Sequence, residues 1–231
     1  MVQAIIFDLF GTLIPAGSPD ARDAASHRSA RELAVDPFDF AALVRATFDE
    51  RMKGSLGGLS ATYGELARRL GSSPTAEQVS KAVGHRLAFA RELLAVRTAE
   101  PILRSLMKAG FRLGVATDCS AETPAVWSSS WLHQYFDHVA FSCDLGVRKP
   151  DPLIYLAVVE ALVVSPSDCI FVGDGGSQEL TGARSLGMEA IMRVDPSEAG
   201  VYRDNQEIDW RGTPIGSLAE IMVRLDIKSP T

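Results

Sequence analysis

An apolar run that ends in an acid and turns at once constrains this chain more than any other feature. Ile5-Ile6-Phe7 runs into Asp8, and Leu9-Phe10-Gly11-Thr12-Leu13 follows. A short, continuous apolar segment bounded by turn residues is the pattern of a strand buried on both faces. Such strands belong to parallel sheets, and open α/β sheets bind ligands outside the carboxyl ends of their strands. Asp8 stands at that end and is a candidate nucleophile, metal ligand or both. Taken alone, the pattern also fits an aspartate that merely caps a turn.

Later segments repeat the pattern. Strands are expected at residues 3–8, 111–117, 138–142, 169–173 and 189–193, with helical patterns between the later ones. That alternation predicts an α/β fold, a Rossmann-like parallel sheet with helices on both faces. One helix opens at Glu100-Pro101 and stops at Gly110. A second carries the apolar stripe Val126, Trp127, Trp131, Leu132 and Tyr135, and a third runs from about Leu153 to Val163. A fourth spans Gln178–Leu186 and closes at Gly187, and Ser217 with Glu220 forms a capping-box pattern for the last, through about Leu225.

Residues 16–95 break the alternation. They offer no good strand and several helical patterns: Phe40, Leu43, Val44 and Phe48 share a face, and Leu87, Ala90, Arg91 and Leu94 mark another helix. Thr75 and Gln78 make a capping box before that helix, and Gly54 to Gly58 reads as a loop. The expected organisation is therefore a core of residues 1–15 and 96–231, with 16–95 as an inserted all-helical cap.

Three further segments carry chemistry. Leu113–Thr117 ends in Asp118-Cys119-Ser120, Val147-Arg148-Lys149-Pro150-Asp151 sets a lysine before a helix, and Ile170–Val172 ends in Gly173-Asp174 with Glu179 following. In this order and at this spacing, the set resembles the haloacid dehalogenase-like hydrolase superfamily over about residues 3–193. The resemblance implies a helical cap that closes over the site and selects substrate. It also implies that Asp8 forms an aspartyl-phosphate, and that Asp8, Asp174, the Phe10 carbonyl and, directly or through water, Glu179 hold Mg²⁺, a hard ion suited to oxygen ligands. Thr117 and Lys149 suit the transferring phosphoryl oxygens. Gly11, Thr12 and main-chain N–H groups at 9–11 and 118–119 add candidate donors, and Lys149 offsets the charge gathered at Asp8. Each residue also has a plainer reading: Lys149 and Arg148 as solvated charges, Glu179 as an acid in the first turn of a helix, and Cys119 as a small packing residue.

Phe10 departs from the pattern. Phosphatases of the superfamily usually carry aspartate there, an acid–base group that protonates the leaving alkoxide and activates water. Loss of such a group typically costs roughly 10²–10⁴-fold in rate. Asp118 is the nearest candidate substitute. An aromatic residue at this position also resembles the true 2-haloacid dehalogenases, which need no metal and place an arginine in the cap, where Arg45 is loosely positioned. Gly173-Asp174 instead has the metal-binding form, and it carries more weight because a metal site specifically demands paired acids. The favoured expectation is a Mg²⁺-dependent phosphohydrolase acting on a small phosphorylated metabolite. A metal-independent dehalogenase and a catalytically weak protein that binds a ligand or partner are the alternatives.

Composition narrows the partners. The 231 residues carry a net charge of −6, which argues against a general nucleic-acid binder. No apolar run reaches the ~18 residues that suggest a membrane span, and Asp8 interrupts what would be a signal-peptide core. Three cysteines, Cys119, Cys143 and Cys169, read as reduced thiols of a cytoplasmic protein. His27, His85, His133 and His138 show no ligand spacing. A homodimer is possible, but no sequence feature argues for it.

Overall fold

A computed structural model of the chain describes residues 1–195 and 206–227. Strand β1 (Ala4–Phe7) is followed by five helices: α1 (Pro19–Glu32), α2 (Pro37–Ala46), α3 (Phe48–Met52), α4 (Leu59–Arg69) and α5 (Ala76–Leu94). Then come α6 (Glu100–Lys108), β2 (Arg112–Thr117), α7 (Glu122–Trp127), β3 (His138–Phe141), α8 (Ser142–Leu145), α9 (Pro152–Leu162), β4 (Cys169–Gly173), α10 (Glu179–Ser185), β5 (Glu189–Met192) and α11 (Ala219–Arg224).

The strands form one all-parallel sheet in the order β3-β2-β1-β4-β5. Its alternate residues feed two apolar layers. Ile5, Phe7, Leu113, Val115, Ile170 and Val172 face the layer that holds Leu103 and Leu106 of α6 and Ile221 of α11. Ala4, Ile6, Ala116 and Phe171 face Ile154, Tyr155 and Val158 of α9 and Leu180 of α10. Gly114 permits the second packing, because a Cβ there would lie 2.3 Å from Val158 Cγ1. The result is the Rossmann-like α/β architecture expected from the alternation.

The five helices between β1 and β2 bury a layer of their own, built on Leu33, Phe40, Tyr63, Leu66, Ala82 and Val83. Thr75 and Gln78 form the full capping box at the start of α5. No helix among the described residues is long and apolar enough to cross a membrane.

Three helices differ from expectation. The stripe from Val126 to Tyr135 is not one helix, because α7 stops at Trp127 and a 3₁₀ turn at Trp131–Tyr135 follows. Ser128-Ser129-Ser130 lies between them; the Ser129 and Ser130 hydroxyls donate to the Val126 and Trp127 carbonyls, satisfying the end of the first helix locally. Helix α10 starts at Glu179, because Ser177 and Gln178 adopt left-handed conformations. In α11, Glu220 accepts from the Ser217 N–H, but the helix has no side-chain cap at its N-terminus, so only half of the expected box forms.

Candidate active site

The residues singled out in sequence come from separate strand ends. Asp8 directly follows β1, and its N–H extends the ladder to Val172 O at 2.9 Å. Asp118 follows β2 and Asp174 follows β4, while Lys149 lies in the loop between α8 and α9. Because neighbouring strands in a parallel sheet end on the same side, residues as distant in sequence as Asp8 and Asp174 meet at one edge.

Lys149 Nζ lies 2.5 Å from Asp8 Oδ1 and also contacts Glu179 Oε2, and all three residues are buried. Ligand atoms of Asp8, Asp174 and Glu179 all lie within 4.8 Å of one another. Among the described residues this is the cluster of acids, histidines or cysteines that could hold a metal. Its donors are all carboxylate oxygens, with no imidazole or thiol, and Asp8 Oδ2 is buried without a hydrogen-bond partner. That donor set fits a hard divalent cation such as Mg²⁺.

Burial pushes the Asp8 carboxyl up to about 6; Lys149 opposes the shift and Asp174 adds to it. Burial likewise drives Glu179 well above the usual range for glutamate, against the pull of Lys149. Lys149 itself is pushed down by burial, but the Asp8 and Glu179 carboxylates outweigh this and hold it well above its ordinary value. The ammonium is therefore a permanent positive charge next to Asp8.

The loop after β4 builds the rest of the pocket floor. Gly173 allows Glu179 to fold back, since a Cβ at Gly173 would sit 2.1 Å from Glu179 Oε1. Glu179 Oε1 then accepts the Gly175 N–H at 2.9 Å, and Asp174 Oδ1 accepts the Gly176 N–H at 3.0 Å. Two consecutive left-handed non-glycine residues, Ser177 and Gln178, make this return possible; such conformations cost about 1–3 kcal/mol each and cluster at functional sites.

The remaining sequence candidates divide. The Thr117 and Thr12 hydroxyls are buried without a hydrogen-bond partner, and neither residue is part of the cavity lining. Asp118 Oδ1 accepts the Lys149 N–H at 2.9 Å, so this acid positions the lysine loop while lining the cavity above Asp8. Gly11 stands apart: its N–H donates to Ile14 O at 2.7 Å and its carbonyl accepts from Arg193. The Cys119 N–H likewise donates to Ser142 Oγ. Two of the main-chain donors expected for a ligand are thus engaged within the protein. Phe10 packs on the apolar layer, and it also lines the cavity.

Sequence reading left out several residues around the site. A cavity of about 550 Å³ opens over Asp8 and reaches up into the helical segment. Its upper wall includes Arg22, Arg51, Arg86 and Phe89. Helical spacing could not show which residues of the insert face inward. Arg148 is not a solvated charge either. It donates to Asp49 Oδ1 at 2.8 Å and to Ser177 Oγ at 3.3 Å, and it stacks on Phe48 with its charge 5.3 Å from the ring centre. Arg45 lies at the cavity rim, mostly exposed, and pairs with Asp23. The three cysteines are free thiols.

Comparisons with known proteins agree with this geometry. A family model described as haloacid dehalogenase-like hydrolase matches residues 2–187. The chain is 29% identical over 217 residues to a glyceraldehyde 3-phosphate phosphatase of Methanopyrus kandleri, covering 88% of this chain and 87% of that one. It is 28% identical over 210 residues to a ribulose-1,5-bisphosphate 5-phosphatase of Halopiger xanaduensis, covering 86% and 87%. A HAD family enzyme of Bacteroides thetaiotaomicron, solved with magnesium and inorganic phosphate, shares the fold with a TM-score of 0.59 at 16% identity over 84% of this chain and 95% of that one.

Proposed function

Because the chain belongs to the haloacid dehalogenase-like hydrolases and several relatives that it matches over most of its length are phosphatases, we propose that it is a Mg²⁺-dependent phosphohydrolase acting on a small phosphorylated metabolite through an aspartyl intermediate at Asp8. The observation that carries this reading is the convergence of Asp8, Asp174 and Glu179 within 4.8 Å, next to Lys149, at the floor of a cavity. A binding protein would not need to bury three mutually repelling carboxylates, which is costly unless a cation is held there.

Asp8, Asp174 and, directly or through water, Glu179 would hold the cation, which when bound polarises phosphoryl oxygens and screens the dianion from the nucleophile. Asp8 attacks phosphorus while the leaving oxygen departs in line, and water later opens the aspartyl-phosphate. Lys149 and the Thr117 hydroxyl receive the equatorial oxygens. The Lys149 charge is fixed in place beforehand, so it needs no reorganisation as charge develops. Residues 16–95 act as the cap over core residues 1–15 and 96–231, and their helices exclude water from the cavity.

Phe10 supplies no proton to the leaving group. The enzyme therefore favours substrates whose leaving group departs without one, such as acyl phosphates, or uses Asp118 in that role. Release of phosphate from acetyl phosphate and p-nitrophenyl phosphate, with Mg²⁺ or with EDTA, tests the reading. Turnover should require Mg²⁺ and fall about 10⁴–10⁶-fold in Asp8→Asn. EDTA-resistant chloride release from 2-chloropropionate would replace this reading with a dehalogenase.

A further inference from the structure

The upper wall of the cavity has an unbalanced charge that hydrolysis of a simple phosphate ester does not require. Arg51 of α3 and Arg86 of α5 both line it, and both are largely buried. Between them sits one acid, Glu122 of α7. Arg86 pairs with that acid through one oxygen: its Nε and Nη2 both donate to Glu122 Oε1. Arg51 gets only neutral oxygens. Its Nε and Nη2 donate to the Val44 carbonyl at 3.2 and 2.8 Å, and its Nη1 to Ser120 Oγ at 3.2 Å. The Ser120 hydroxyl is itself turned to Glu122. A guanidinium carries five N–H donors, so these three bonds leave Arg51 with two in hand.

Two buried guanidiniums and one buried carboxylate leave a net positive charge facing the cavity. Arginine does not shed its proton to escape burial. Burying an unbalanced charge is expensive, and the fold gains nothing from it unless something negative arrives. The floor cannot supply that charge: Asp8 and Glu179 are already paired with Lys149, and the acidic cluster suits a cation. The helical segment lends the cavity one acid of its own, Asp23, and Arg45 already pairs with it. Burial, followed by the like charge of Arg86, lowers the Arg51 pKa, and Glu122 opposes this only in part.

We infer that Arg51, oriented by Ser120 and the Arg86–Glu122 pair, binds a second anionic group of the substrate, so that this enzyme acts on small phosphorylated compounds that carry a carboxylate or a second phosphate at their other end. The inference rests on the phosphohydrolase reading and narrows it to a substrate class. The free fork of the guanidinium matches the two oxygens that either group presents.

The test compares matched compounds: unbranched alkyl monophosphates of two to five carbons ending in hydroxyl, in carboxylate or in a second phosphate. With wild-type protein and Mg²⁺, at least one anion-ended series should exceed its hydroxyl partner in kcat/KM by roughly 10–100-fold, the worth of a charged hydrogen-bond pair. Arg51→Gln should erase that preference through KM, and Arg51→Lys should keep part of it. The series that gains identifies the second group as carboxylate or phosphate. Equal use of all three series, or a preference that survives in Arg51→Gln, overturns the inference and leaves the phosphohydrolase reading intact. If acetyl phosphate and every other ester are inert, the phosphohydrolase reading fails. Calorimetry with the same compounds and Asp8→Asn protein then still decides: tighter binding of the anion-ended compounds, lost in Asp8→Asn/Arg51→Gln, supports the second-anion site, and equal binding ends it. Circular dichroism of each variant separates lost recognition from lost folding.

Discussion

The floor and the upper wall of the cavity solve opposite electrostatic problems. The floor gathers three carboxylates and answers them with one lysine, leaving room for a cation. The upper wall gathers arginines from separate helices and answers two of them with one glutamate, leaving room for an anion. Asp8 and Asp174 of the floor stand on strand ends and the upper wall stands on helices, and that difference in support decides how each was specified. A strand end in a parallel sheet has one direction to face, so an acid placed there is committed to the ligand side. A helix exposes a full circle, and only packing decides which residue turns inward.

The sharpest way to break the floor is to remove its cation. Lys149→Met leaves Asp8 and Glu179 buried without their shared charge. Phosphate release should fall roughly 10²–10³-fold, the scale at which removing a fixed transition-state donor acts. A loss below about tenfold would show that bound metal alone manages the charge. Smaller, and opposite in sign, is the expected effect of Phe10→Asp. It puts a carboxyl where a leaving alkoxide needs a proton, so turnover of alkyl phosphates should rise by about 10²-fold, and that of acetyl phosphate far less. An equal change in both would remove the leaving-group argument built on Phe10.

The contrast also explains what could be read before the structure. The parallel sheet was legible from its five apolar runs, because both faces of such strands are buried and the signal is continuous. Asp8 and Asp174 stood out at the ends of apolar runs, and the ordered set of motifs gave them their roles. Lys149 and Glu179 were legible only as part of an ordered set, since no local pattern shows that their side chains turn inward. The broken helix at Ser128–Ser130 was not legible from periodicity, because apolar residues on both sides keep helical spacing while the serine hydroxyls end the first helix. Arg51, Arg86 and Glu122 were invisible for a related reason. Each looks like a solvated charge on a helix, and only three helices meeting over one cavity make them a buried cluster. Arg148 failed the same way, because its partners Asp49 and Ser177 lie far away in sequence.

The upper wall can be broken through its single acid. Glu122→Gln leaves Arg51 and Arg86 buried with no carboxylate, and losing one partner of a buried pair typically costs about 3–5 kcal/mol. The loss should appear as a lower midpoint in urea. Mg²⁺ affinity per folded molecule, measured by calorimetry, should stay within about twofold, because no floor residue is touched. Coupled loss of both would mean that the two regions are one electrostatic unit. Acid should mimic the substitution. Burial raises the Glu122 pKa, but Arg86 and Arg51 more than reverse this and hold it below the usual glutamate value. A depressed folded pKa gives stability that is present above the unfolded value and lost as pH falls through the folded one.

The smallest expected effect separates the two regions by the sign of their pH dependence. Asp8 has its pKa raised from 3.8 to about 6, mainly by burial. A raised value means that the folded protein binds the proton more tightly than the unfolded chain does. The contribution of Asp8 to stability is therefore full below about 3.8 and declines as pH rises to about 6, the reverse of Glu122. Urea midpoints in EDTA should show this as a difference between proteins. Asp8→Asn, which keeps the neutral shape at every pH, should match wild type near pH 4 and exceed it near pH 7. Saturating Mg²⁺ should shrink that gap, because a bound cation stabilises the charged wild-type carboxylate. A gap that is constant with pH, or that ignores Mg²⁺, would place the proton and the metal somewhere other than Asp8, and with them the nucleophile on which the floor is built.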